Sequence, residues 1–200
     1  MPLLVCQNGF TIIESDCIAR YLLDKHATIS PSFSPPNIYI RSLSDQLCRV
    51  HDVYISPIQG CMYKAPGYVF GGYGTNRVAA KNELLRQLHG LEGLVASADK
   101  FSASENTSPS ESYLCGNQIS LADITLYPTL LFCDTLLPKV FGCTRSEYLG
   151  PRLTRWYDSF AARPEVRPVG AEISTALEGW SLSGRFEPIL EELRELSASS

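Results

Sequence analysis

The sequence has little with which to hold a metal. It has three histidines, His26, His51 and His89, none of them in an HExxH arrangement or a Cys/His cluster, the spacings that gather ligands around zinc. None of the seven cysteines (Cys6, Cys17, Cys48, Cys61, Cys115, Cys133, Cys143) forms a CxxC pair, and their number is odd. That pattern predicts free thiols in a reducing, cytoplasmic compartment rather than a disulfide framework or a zinc ribbon. No GxSxG elbow, P-loop or GxGxxG motif is present, so the common nucleophile and phosphate-cradling signatures are missing. Gly71-Gly72-Tyr73-Gly74 is glycine-rich, but no Lys-Ser/Thr follows it, and it reads as a plain loop. Polybasic runs are absent, and 17 basic against 21 acidic residues leave a net charge of −4. This speaks against nucleic acid and against an anionic membrane as partners. No apolar stretch approaches the roughly 20 residues of a membrane span, and the apolar start over residues 1–5 stops too soon for a signal peptide.

What is present suits a folded chain: 44% hydrophobic and 19% charged residues in a length of 200 can build a sizeable core. Residues 3–6 and 10–13 are short apolar runs around Gln7-Asn8-Gly9. Asn-Gly predicts a hairpin closed by a type I′ turn, because both residues tolerate positive φ. Ile18, Tyr21 and Leu22 then share one helical face, and this helix is expected to end near Lys25. The Pro/Ser-rich stretch 30–36 cannot continue a helix and reads as a linker.

Beyond it the chain reads as helical. Ile40, Leu43, Leu47, Val50 and Tyr54 form one apolar stripe, and Leu84, Leu88, Leu91, Val95 and Ala98 a second. Pro57 and Gly60 should bend or end the first helix, 64–74 should be a long loop, and 102–112 a polar surface loop. Further helices are expected from Ser120, from Pro151 to Arg163, from Glu165 to Trp180 and over 186–196. The architecture is therefore α+β to mostly α: a β-hairpin with one helix, followed by an all-α part.

Two helix starts carry the chemistry. At Glu14-Ser15-Asp16 a strand gives way to a helix, whose N-terminus presents unpaired N–H groups and a positive partial charge. Ser15 can donate to a carboxylate there, and Glu14 can pair with an ammonium, a combination suited to the zwitterionic end of an amino acid or peptide. Simple helix capping explains the same residues, and both readings stay open at this level. Ser120-Leu121-Ala122-Asp123 has capping-box spacing, with Ser120 accepting from the backbone at Asp123 and Asp123 reaching back. It heads an apolar helix, so both residues read as structural. Buried cysteines act as small hydrophobes. Arg49, His51, Asp52, Tyr54 and Tyr63 decorate the first long helix, either lining a cleft or forming a solvated face.

Together these stretches resemble the glutathione transferase family. Pro2-Leu3-Leu4-Val5, the Asn8-Gly9 turn and Ile13-Glu14-Ser15-Asp16-Cys17-Ile18-Ala19-Arg20-Tyr21-Leu22 resemble the second half of its N-terminal domain. Tyr113-Leu114-Cys115-Gly116-Asn117-Gln118-Ile119-Ser120-Leu121-Ala122-Asp123 looks like its C-terminal capping segment, and Pro151-Arg152-Leu153-Thr154-Arg155-Trp156-Tyr157 through Arg163-Pro164-Glu165-Val166 like its late helix and turn. The resemblance implies a partial thioredoxin-like, glutathione-binding unit over 1–28, a linker over 29–37 and an all-helical C-terminal domain over 38–200. It implies that Glu14 and Ser15 bind the γ-glutamyl end of glutathione, which turns the reading of that pair from capping to binding. Pro2 would be the cis-proline opening a strand, and Met1 the residue whose backbone pairs with the glutathione cysteine. A hydrophobic electrophile would lie against the first helix of the helical domain, with Arg49, Asp52 and Tyr54 as candidates.

The expected activity is conjugation of glutathione, a co-substrate rather than a bound cofactor, to electrophilic small molecules by a homodimer. Glutathione-dependent reduction or dehalogenation, and a non-enzymatic interaction module, are the alternatives. The family's first strand, helix and second strand would precede Pro2, so the thiolate-activating residue finds no match here. The short chain by itself is expected to transfer thiols poorly.

Overall fold

The computed structural model describes residues 2–28, 33, 35, 37–104 and 113–198. Met1 lies outside them, and with it the peptide bond to Pro2. Most of the expected linker 29–37 lies outside them as well.

The chain opens with two short strands, β1 (Leu3–Val5) and β2 (Thr11–Ile13), paired antiparallel with Leu4 opposite Ile12. The loop between them departs from the type I′ expectation. Gly9 donates its N–H to Cys6 O at 2.9 Å, and Cys6 donates to Phe10 O at 2.8 Å. Among the three loop residues only Gly9 has positive φ, at 83°. This is a type I turn closed by a glycine bulge, the three-residue hairpin solution. The Asn8 side chain, instead of turning the backbone, accepts from Phe10 N–H at 3.1 Å. Leu4 and Ile12 are half-buried, while Leu3, Val5, Phe10 and Ile13 remain exposed on and around the other face.

Helix α1 (Ser15–Lys25) follows, with Ala19 and Leu23 packed on the helical part. That part comprises α2 (Ile38–Val50), α3 (Arg77–Ser104), α4 (Leu121–Phe141), α5 (Pro151–Ala161), α6 (Arg167–Leu182) and α7 (Glu187–Ala198). The start of α5 at Pro151 and the bounds of α6 and α7 fall within two residues of the sequence expectation. Helix α3 also takes in Ser102–Ser104, expected to be loop; Ala98 is not among the described side chains, and residues 105–112 of the expected loop lie outside the described set. Leu84, Leu88, Leu91 and Val95 are fully buried, as their spacing requires.

The first stripe holds through Val50 and then breaks. His51–Ile55 forms a π-helical turn in which Ser56 N–H bonds to His51 O at 2.8 Å. The extra residue in this turn shifts the register. Ile55 thus enters the core at 0% exposure while Tyr54, predicted to be inside, stands 54% exposed.

Helix α4 corrects another expectation: at 21 residues and mean hydropathy 1.2 it is long and apolar enough to cross a membrane. Eleven of its residues are buried against the rest of the fold, among them Leu126, Leu130 and Leu137, and it packs on α2, α5 and α6. It is the core helix. The loop over 64–74 is pinned by Arg77, 1% exposed, which donates to Lys64 O at 2.8 Å, to Cys61 O and to Glu192 Oε2 at 2.9 Å.

Candidate functional site

Helix α1 begins abruptly, and its first turn is left open. Glu14 holds φ 69°, ψ 128°, the one non-glycine residue with positive φ among the described residues. A backbone of this kind costs of the order of 1–3 kcal/mol and is retained where something requires it. The first intrahelical bond runs from Ile18 N–H to Glu14 O at 3.0 Å, so the N–H groups of Ser15, Asp16 and Cys17 have no helical acceptor. Among the described residues no side chain caps them. Glu14 and Ser15 are both exposed, and neither side chain makes a hydrogen bond or ion pair among the described residues. The capping reading of Ser15 therefore fails: it sits at the first helical position, with its hydroxyl free beside three free N–H groups and a free carboxylate. Such a turn can hold an anion on the N–H groups and a cation on Glu14.

Asp16, in the same turn, faces back along the helix, its Oδ2 accepting from Arg20 Nε at 2.8 Å. Arg20 also donates from Nη1 to Asp45 Oδ1 on α2 at 3.1 Å. Asp45, Arg49 and Asp52 recur at helical spacing, so two of the three residues expected to meet a hydrophobic co-substrate continue the stripe that Arg20 touches. All three are exposed. Tyr54 does not belong to that stripe; it stands 54% exposed in the π turn. Among the described residues Asp52 is partnered by its neighbour His51, whose Nδ1 lies 2.9 Å from Asp52 Oδ1 and whose Nε2 lies 2.8 Å from Thr129 Oγ1 on α4. Burial pushes the Cys48 thiol up to about 11, and Asp16, Arg20 and Asp52 all lie within electrostatic reach of it.

A cleft of ≈ 180 Å³ separates α1 from α2, with Arg20, Leu23 and Asp24 on one wall, Arg41, Ser44 and Asp45 on the other. Arg49, Asp52 and Tyr54 do not line it. Pro2 is exposed ahead of β1, and the role expected of Met1 lies outside the described residues. Arg20 and Asp45 went unassigned in the sequence. The Asp16–Arg20 spacing of four residues was readable on one helix, but the partner 25 residues further on was not.

The second helix start is a hub. Asp123, 0% exposed, accepts from Ser120 N–H and Leu114 N–H, from the Ser120 hydroxyl and from Trp156 Nε1, each at 2.8 Å. The capping box forms with both of its expected halves, and the Ser120 hydroxyl in addition donates to Asp123. Ser44 on α2 accepts from Ala122 N–H at 3.3 Å. Burial pushes the Cys61 and Cys115 thiols up to about 12, while Cys17 is exposed and Cys6 half-buried.

Residues 87–164 match the family model of the glutathione S-transferase C-terminal domain. No curated protein matches the chain. Among solved structures, a diazinon-metabolizing glutathione S-transferase of the silkworm Bombyx mori is similar with TM-score 0.59 and 18% identity, covering 88% of this chain and 73% of that one. A class Gtt2 glutathione S-transferase of Vibrio parahaemolyticus is similar with TM-score 0.55 and 24% identity, covering 83% and 70%. A glutathione S-transferase of Methylobacterium radiotolerans, solved in complex with glutathione sulfonate, has TM-score 0.54 and 20% identity over 84% and 70%. These likenesses show a shared fold.

Proposed function

We propose that the open first turn of α1 binds glutathione, a reading supported by the match of residues 87–164 to the glutathione S-transferase C-terminal domain and by the likeness of the fold to solved glutathione S-transferases. The free N–H groups of Ser15, Asp16 and Cys17 and the Ser15 hydroxyl take the α-carboxylate of the γ-glutamyl end, and Glu14 takes its ammonium. The observation that carries this reading is the pairing of a strained, unpartnered Glu14 with an uncapped helix start, an arrangement that local capping does not use.

The reaction proposed is attack of the glutathione thiolate on an electrophilic carbon of a hydrophobic small molecule lying against the Asp45–Arg49–Asp52 face of α2. The sulfur–carbon bond forms as the leaving group departs or the electrons move onto the acceptor, and the thiol proton goes to solvent. A free thiol has a pKa of about 8.5, so only a few per cent is ionised at neutral pH without a donor to stabilise the thiolate. None of the residues described here is assigned that role. Binding is therefore the activity proposed of these 200 residues, with conjugation the chemistry it serves, in a cytoplasmic homodimer.

Calorimetric titration of reduced glutathione tests the reading. Ser15→Ala and Glu14→Ala should each weaken binding by about 1–3 kcal/mol, through loss of a charge-assisted hydrogen bond. Unchanged affinity in both folded variants would return the turn to a purely structural role.

A further inference from the structure

Asp16 is a difficulty for any anion that docks on the first turn of α1. A carboxylate at the second helical position is itself attracted to the free N–H groups and to the positive end of the helix. Left alone, it competes with an incoming carboxylate for the same donors and repels it. In the structure it does not bond those donors. One oxygen, Oδ2, is held by Arg20 at 2.8 Å, and the other, Oδ1, is shielded from solvent without a partner. Asp16 makes no bond to any N–H of its own helix. Arg20 is held in turn by Asp45 across the α1–α2 cleft at 3.1 Å, and both residues line that cleft of ≈ 180 Å³.

Building on the glutathione-binding reading above, we propose that Arg20 is a positioning residue for the ligand carboxylate. It draws the Asp16 side chain back along α1 and offsets its charge, leaving the N–H groups of the first turn to the ligand, while Asp45 holds Arg20 in the orientation that does this. The helical domain thereby bears on a site built from the hairpin unit, through one guanidinium.

The role distinguishes itself from a merely structural one by its remedy. If Arg20 acts by restraining Asp16, neutralising Asp16 makes Arg20 dispensable; if Arg20 only holds two helices together, it does not. Arg20→Gln keeps the aliphatic stem and a good helix former, and circular dichroism verifies that it folds. In calorimetric titration with reduced glutathione, Arg20→Gln should bind about five- to tenfold more weakly at low salt, the scale of one uncompensated charge a few ångströms from the ligand in a part-exposed site. The double variant Arg20→Gln/Asp16→Asn should recover to within about twofold of the parent, as neutralising Asp16 removes the same charge. Asp45→Asn, which loosens Arg20 without touching α1, should cost less than Arg20→Gln.

A loss in Arg20→Gln that Asp16→Asn does not relieve, affinity equal to the parent in Arg20→Gln, or a larger loss in Asp45→Asn would each overturn the proposal while leaving glutathione binding at Ser15 and Glu14 intact. Failure of the unsubstituted protein to bind glutathione would instead remove the underlying reading, and this one with it.

Discussion

Replacing Asp123 by alanine should be among the most damaging single changes in the molecule. The carboxylate is fully buried and accepts four hydrogen bonds at 2.8 Å, from the segment before α4, from the start of α4 and from the indole of α5. Alanine leaves Leu114 N–H, Ser120 N–H and Trp156 Nε1 buried without acceptors, while the Ser120 hydroxyl can rotate to another partner. Each orphaned donor costs about 1–3 kcal/mol, partly offset because a buried carboxylate no longer needs desolvating. The expected net loss is about 3–5 kcal/mol, a large share of the 5–15 kcal/mol by which domains are ordinarily stable. In urea, with a slope near 2 kcal/mol/M, the midpoint should fall by about 2 M, read by far-ultraviolet circular dichroism and by fluorescence of Trp156. Asp123→Asn keeps an oxygen for Leu114 and Trp156 but turns an amide toward Ser120, and should cost about 1–2 kcal/mol.

The ionisation of Asp123 adds a pH signature. Burial pushes its carboxyl above the ordinary carboxylate value, against the pull of its four donors. The folded state therefore binds the proton more tightly than the unfolded chain. This group's contribution is greatest below the unfolded value and declines as pH rises through the window up to the folded one. Asp123→Asn should remove that decline. A loss under 1 kcal/mol for the alanine variant, with the indole environment unchanged, would refute the hub.

Two further outcomes follow from the same kind of accounting. Glu92 on α3 caps α5 from outside, its carboxylate oxygens accepting from Arg152 N–H and Leu153 N–H at 2.9 Å each; Glu92→Ala should cost about 1–2 kcal/mol, the worth of a lost helix cap, in a denaturation series. Iodoacetamide at pH 7.5 should label Cys17, and more slowly the half-buried Cys6, as mapped by mass spectrometry, while Cys48, Cys61 and Cys115 stay unmodified until the protein unfolds, because burial holds their thiols at about 11, about 12 and about 12.

Local chemistry determined much of this protein from sequence alone. The spacing of Leu84, Leu88, Leu91 and Val95 placed a buried helix face, Ser120 and Asp123 marked the start of α4, and Pro151 opened α5, since helix periodicity and N-terminal chemistry act within a few residues. Asn8-Gly9 announced a turn, and Glu14-Ser15 an uncommon helix start. The turn type was settled by register, because a Gly9 bulge and an Asn-Gly I′ turn read alike in the letters and differ only in how Val5 meets Thr11.

Everything that depends on distant partners waited for the tertiary structure. Tyr54 sits where the apolar stripe predicts core, yet one extra residue in a π turn carries Ile55 inside in its place. Asp123 was readable as a cap, but its bonds to Leu114 and Trp156 join segments 9 and 33 residues away. The helical part likewise reaches the candidate site through Arg20 and Asp45, two charges that read in the sequence as ordinary solvated residues. A charge becomes specific only when the fold decides what stands opposite it, and no periodicity in the chain encodes that.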